Sequence, residues 1–153
     1  LVAEKLWKPL GAEHTAWWGK DTEDGDFKGF CCLYATARDF ARIGQLYLDS
    51  GSWRGQRILP REYWQASITP ARLDDKGSPN QRYGYYWWLI DPGTPGAMYY
   101  CRGFHGQYVV VMPRQRVVMV RTGMKWEEKN EKGHPKDVMS YIAIAQRLAA
   151  DPR

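Results

Sequence analysis

The chain has 153 residues, 44% hydrophobic and 25% charged, a composition suited to one globular domain with a real core. Its net charge of +5 comes from 22 basic and 17 acidic residues interspersed along the chain, a pattern of a solvated surface that argues against the basic block or arm expected of a nucleic-acid binder. No run of about 18 apolar residues occurs, which excludes a membrane-spanning helix.

In chain order, LVAEKLWKPLG reads as the last turns of a helix, with Val2, Leu6 and Trp7 at helical spacing and Pro9-Leu10-Gly11 as its end. Residues 12–30 are a loop rich in Gly, Asp and aromatics. TARDFARIGQLYLDSG carries the clearest helical pattern. Thr36 is a good N-cap, Asp39 stands three residues on as in a capping box, and Gly51 stops the helix. Ala37, Phe40, Ile43, Gly44 and Tyr47 line its apolar face, with Ala41 and Leu48 beside them. A shorter helix is expected between Pro60 and Pro70, and a surface loop over 71–82.

From Tyr83 the pattern turns to strands: YGYYWWLI (Tyr83–Ile90), AMYYCR (Ala97–Arg102), then the runs Val109–Met112 and Val117–Val120. Four strands with short links predict an antiparallel meander. The last two runs do not alternate with polar residues, so both faces of the sheet must be covered. The C-terminal helix over 134–150, with Pro135 near its first position and a stripe of Val138, Ile142, Ala145 and Ala149 beside Met139 and Leu148, supplies one cover. The fold class is therefore α/β (α+β), an antiparallel meander covered by helices.

Eight Trp and ten Tyr exceed what a core of this size needs. They raise a second class of function, a non-catalytic peptide- or carbohydrate-binding module that uses Trp and Tyr as stacking surfaces. Strand alternation means that Trp87 and Trp88 cannot both face one cleft. The cysteines, Cys31, Cys32 and Cys101, are odd in number, with no C-x-x-C spacing and no paired histidines. Neither a zinc site nor a disulfide framework is expected, and no metal or cofactor is implied. The thiols read as free and buried or half-buried, with a pairing of Cys101 to Cys31 or Cys32 left open. His14 and His134 read as surface or capping residues.

The most informative stretch is CRGFHGQYVVVMPRQRVVMVRTG, in which a Gly-Phe-His-Gly corner leads into a buried hairpin. Two glycines there indicate a tight turn or a close approach of backbone. Taken in order, PLGAEHTAW, LYATARDFARIGQLYLDSGSWRGQRILP, YGYYWWL and RGFHGQYVVVMPRQRVVMVRTG resemble the C-terminal half of the serine β-lactamase-like hydrolases. That group includes class C β-lactamases, penicillin-binding proteins, family VIII esterases and 6-aminohexanoate-dimer hydrolases, and the corner resembles the last of these most.

The resemblance implies that residues 1–153 are the C-terminal portion of one β-lactamase/transpeptidase-like domain: 1–82 mostly helix and loop, 83–123 antiparallel strands, 134–150 the C-terminal helix. It further implies an acyl-enzyme mechanism with an S-x-x-K nucleophile box and a Y-x-N proton-handling box. Neither is found: Ser50, Ser52, Ser67, Ser78 and Ser140 lack a lysine three residues on, and no Tyr has Asn or Ser two residues on. Both boxes are expected upstream, so the chain alone should be inactive and should need the N-terminal part of its own fold. Cys101-Arg102-Gly103 falls where the family carries K-T-G, W-G-G or H-x-G. The implied oxyanion donor is the backbone amide of Phe104, and Gly103 lets a substrate acyl chain lie against the strand. Cys101, Arg102, His105 and Gln107 are the implied substrate contacts. Arg102 either replaces the family lysine that helps bind a β-lactam carboxylate or points away from the cleft, which favours a small or peptide-like amide or ester substrate. His105 and Gln107 either meet the substrate or fasten the turn. The resemblance leaves the compartment open.

Overall fold

The computed structural model of the chain describes residues 1–74, 76–125 and 127–151. A π-helical segment, Ala3–Trp7, leads into turns through Gly11. Two-residue strands β1 (Trp17–Trp18) and β2 (Leu33–Tyr34) pair antiparallel. Helix α1 (Ala37–Leu48) is followed by the small hairpin β3 (Ser52–Trp53) and β4 (Gln56–Arg57), then by α2 (Arg61–Ser67). Strands β5 (Trp88–Ile90), β6 (Met98–Gly103), β7 (Gln107–Met112) and β8 (Val117–Arg121) form one antiparallel sheet in sequence order, and α3 (Lys136–Ala150) closes the fold.

The non-alternating strands are explained by two separate cores. On one face of the sheet, Ile90, Met98, Tyr100, Tyr108, Val110 and Met112 pack with Val138 and Ile142 of α3. On the other face, Leu89, Tyr99 and Val111 pack with Tyr47 and Leu48 of α1 and with Trp87, while Leu59, Trp64 and Ile68 seal the rim. Each buried aliphatic or aromatic side chain contributes about 1.5–3 kcal/mol against exposure. Gly44 lets α1 lie close on the sheet, since a Cβ there would stand 2.5 Å from Val118 Cγ1. Both faces are thus covered from within the chain. One group of large exposed aromatics, Trp17, Phe27, Phe30 and Tyr34, lies around β1 and β2, and Tyr63, Tyr85, Tyr86 and Phe104 are exposed as well.

Several sequence expectations are corrected. The strand read over Tyr83–Ile90 begins only at Trp88. Tyr83 instead makes an isolated bridge to Trp88, because Tyr86 adopts φ +63° and turns the chain back. Trp87 and Trp88 fall on opposite faces, as alternation requires. Leu148 and Ala149, placed with the apolar stripe of α3, are exposed. Cys31 and Cys32 are neither free nor paired with Cys101: they form a disulfide with each other, and Cys101 is the free thiol. His134 is buried, with its Nδ1 sharing a 3.0 Å hydrogen bond with the Tyr100 hydroxyl.

Thr36 caps α1 by accepting from Asp39 N at 3.2 Å. The carboxylate of Asp39 does more than a capping box asks. It accepts from Glu13 N (2.9 Å), His14 N (3.3 Å), Thr36 Oγ1 (2.8 Å) and Arg42 Nη1 (2.7 Å), and so pins residues 13–14 to the start of α1. Burial alone would raise this carboxyl, but hydrogen bonds from Glu13, Thr36 and His14 outweigh it and hold the group below the ordinary carboxylate value. A carboxyl lowered by folding stabilises the protein above its unfolded value and loses that contribution as pH falls through the folded one. Asp39→Asn should therefore lower stability near neutral pH by about 2 kcal/mol. In urea melts the gap to wild type should narrow as pH drops below about 4.

Candidate active-site strand

The sheet prepares one end of β6 differently from the other. β5 pairs with Met98, Tyr99 and Tyr100 and stops there, whereas β7 continues along β6 to the closing pair Gly103–Gln107. Among the described residues, the segment Cys101–Gly103 has a strand neighbour on the β7 side alone. A strand end of this kind can offer its backbone to an extended chain laid alongside it.

The three residues Phe104, His105 and Gly106 turn the chain into β7, and His105 and Gly106 both take left-handed backbone, at φ +58° and +78°. Positive φ at two successive positions suits the twist of a tight hairpin. Glycine at 106 has a further cause: a Cβ there would overlap the Arg121 guanidinium and the Lys125 carbonyl. At Gly103 a Cβ would come within 2.9 Å of Gln107 Cβ across the pair, so the strand reaches its corner only with glycine there.

Two side chains hold the corner from behind. The Gln107 amide donates through Nε2 to Gly123 O and accepts from Gly123 N at 3.1 Å, tying the end of β8 to the start of β7. Arg121 donates through Nη1 to Gly106 O and to Lys125 O, the latter at 3.0 Å. Its guanidinium lies over the rings of Tyr108 and Tyr141, 5.7 and 5.2 Å from their centroids. The same nitrogen stands 3.6 Å from Asp137 Oδ2, while Asp137 Oδ1 accepts from the Tyr108 hydroxyl at 2.9 Å. The corner is thereby joined to β8, to the loop after it and to the first turn of α3.

The residues named from sequence do not share one surface. Gly103, Phe104 and His105 are exposed, and the rings of Phe104 and His105 pack edge-to-face with centroids 4.0 Å apart. Cys101 faces the core that α1 covers, and burial pushes its thiol up to about 12. A thiol so protonated is no nucleophile near neutral pH. Arg102 stands across from Tyr108, on the face that α3 covers, where its charge opposes the effect of burial on the Tyr100 and Tyr108 hydroxyls. Burial raises both hydroxyls and lowers His134, so Tyr100, Tyr108 and His134 are all held neutral beneath the strand. No group of three or more His, Cys, Asp or Glu able to hold a metal is found among the described residues.

Arg121, Gly123 and Asp137 escaped the sequence reading. The signal for Arg121 is its phase: it follows Val117 and Met119 at every second residue, where an inward charge needs buried partners.

Two outcomes are expected. Gly106→Ala should lower stability by about 2 kcal/mol or more, because it combines left-handed backbone with overlap of the Arg121 guanidinium. A thermal melt checks this. Alkylation of Cys101 by iodoacetamide, followed by mass spectrometry, should stay slow at pH 8 and still be rising above pH 10.

Comparison with known proteins gives this arrangement its context. The family model for β-lactamase matches residues 1–137. A Bacillus anthracis protein provisionally named a 6-aminohexanoate-dimer hydrolase superposes with a TM-score of 0.71 at 26% identity, covering 99% of this chain and 39% of its own. A Bacteroides dorei protein provisionally named a β-lactamase superposes at 0.59 with 18% identity, covering 92% of this chain and 49% of its own, a likeness of fold. The chain thus spans less than half the length of either structure. With the family model extending over most of its residues, and with its meander covered by α1 and α3 matching that fold, the chain belongs to the β-lactamase family.

Proposed function

We propose that this chain is the C-terminal portion of one β-lactamase-like serine hydrolase domain, acting on an amide or ester through an acyl-enzyme. The observation that carries the proposal is the end of β6. Among the described residues, Cys101–Gly103 has a strand neighbour on the β7 side alone, and it runs into a corner fastened by Gln107 and Arg121. In acyl transfer the carbonyl oxygen of the substrate gains negative charge as the tetrahedral intermediate forms. A rigid backbone N–H directed at that oxygen stabilises it, and a donor that needs no rearrangement costs nothing at the moment of reaction. The Phe104 amide is the donor in this reading, paired with the amide of the nucleophile itself.

Gly103 leaves the strand open for the acyl chain to lie beside Cys101 and Arg102, with His105 at the mouth. Gln107 acts through Gly123 and the strand rather than on the substrate. The nucleophilic serine and its proton-handling partners come from polypeptide outside residues 1–153, since no S-x-x-K or Y-x-N box occurs within them. The exposed Trp17, Phe27, Phe30 and Tyr34 are surfaces for that polypeptide to cover. An amide or ester is preferred over a β-lactam because no lysine stands at positions 101–103 and Arg102 lies on the α3 side. A 6-aminohexanoate-dimer-like linear amide is the leading substrate class, following the name of the B. anthracis relative. The alternative of an aromatic binding module would have to use the exposed rings such as Trp17, Tyr34, Tyr63, Tyr85 and Tyr86, since Tyr47, Trp87, Tyr99, Tyr100 and Tyr108 are committed to the core.

A fluorophosphonate probe should label one serine of the full-length protein, outside residues 1–153, and should leave the isolated 153-residue chain unlabelled. Labelling of a serine within this chain would overturn the assignment. Gly103→Val in the full-length protein should lower kcat for a p-nitrophenyl ester by about 100-fold, the order expected on losing an oxyanion donor.

A further inference from the structure

We propose that Arg121 is the positioning residue of the oxyanion corner, setting the aim of the Phe104 amide through the carbonyl of Gly106. The proposal rests on the serine-hydrolase reading above and adds to it the device that keeps the donor in place.

Arg121 sits at an inward position of β8, opposite Tyr108 in register, where the pattern of Val117 and Met119 calls for an apolar residue. A guanidinium there must be compensated. Its partners are the Gly106 and Lys125 carbonyls, the rings of Tyr108 and Tyr141, and the Asp137 carboxylate. The Gly106 carbonyl belongs to the hairpin turn itself, two residues after Phe104. The turn takes positive φ at both His105 and Gly106, and the bond from Arg121 to Gly106 O ties that left-handed backbone to β8. Glycine stands at both 106 and 123 because a Cβ at either would overlap the guanidinium. One nitrogen, Nη1, donates to both carbonyls, and the guanidinium plane, held over two rings, fixes the directions of its two hydrogens in a way that a freely rotating lysine ammonium does not reproduce.

Hydrogen-bond donors to an oxyanion act on the transition state far more than on the bound substrate. Loss of aim therefore reads out as a fall in turnover and in affinity for tetrahedral analogues, not as weaker substrate binding. The test uses the full-length protein with a p-nitrophenyl ester, kcat being expressed per serine titrated by a fluorophosphonate so that misfolded molecules are not counted.

Arg121→Lys should lower per-site kcat by about 10-fold or more, weaken inhibition by phenylboronic acid in parallel, and change KM less than about twofold. Gly123→Ala, which leaves Arg121 in the sequence but crowds its guanidinium away from Gly106, should shift both parameters in the same direction. Arg116→Gln serves as the structural control. Arg116 ties the opposite turn of the sheet to Leu48 O and Asp49 of α1, so its loss should lower Tm while per-site kcat and boronate affinity stay unchanged. Unchanged per-site kcat and boronate affinity in both Arg121→Lys and Gly123→Ala would overturn the role of Arg121 and leave the hydrolase reading standing. A wild-type protein that takes no fluorophosphonate label would overturn both.

Discussion

The antiparallel register of β6 on β7 runs from Tyr99 opposite Val111 to Gly103 opposite Gln107, and the faces of the whole sheet follow from it. A slip of one residue would send every side chain of one strand to the other face. Hydrophobicity alone discriminates weakly against that slip, because both faces of the sheet are apolar. Buried hydroxyls supply the discrimination. Tyr99 reaches the Tyr47 carbonyl on the α1 side, while Tyr100 meets His134 and Tyr108 meets Asp137 on the α3 side. A slipped strand would bury these polar groups without partners, at a cost of about 1–3 kcal/mol each.

Charged side chains then fasten the periphery to this frame. Asp39 gathers the chain before α1, Arg116 joins the β7–β8 turn to the end of α1, and Arg121 joins the β6–β7 turn to the loop beyond β8 and to α3. The two turns at opposite ends of the hairpin strands are thus each held by one guanidinium on backbone carbonyls. The corner that includes Phe104 is held by contacts made behind it, through Gln107 and Arg121.

Much of the fold was legible in residue order. Thr36, Asp39 and Gly51 bound the first long helix, Pro135 opens the last, and two non-alternating valine runs required cover on both faces, which α1 and α3 supply. The aromatic run from Tyr83 misled for a local reason: β propensity is high in all of its large residues, but the left-handed turn at Tyr86 breaks the strand before Trp88. His134 misled because it lies in a turn flanked by Lys132 and Lys136, while its partner Tyr100 is thirty-four residues away. Cys31 and Cys32 misled because adjacent cysteines are an unusual pair to close on each other.

The sequence by itself determined the order of helices and strands, the need for two covered faces, the glycine-bounded corner and the likeness to serine hydrolases, since each rests on local pattern or on motifs read along the chain. The tertiary structure alone decided which side of the sheet each residue of CRGFHGQ serves. It turned Cys101 into the core, set Arg102 on the opposite face, and committed Gln107 to Gly123. It also brought Arg121 and Asp137 to the back of the corner from fifteen and more residues away. The physical reason is that these roles depend on register and on buried charge compensation between distant segments, and neither leaves a periodic trace in one dimension.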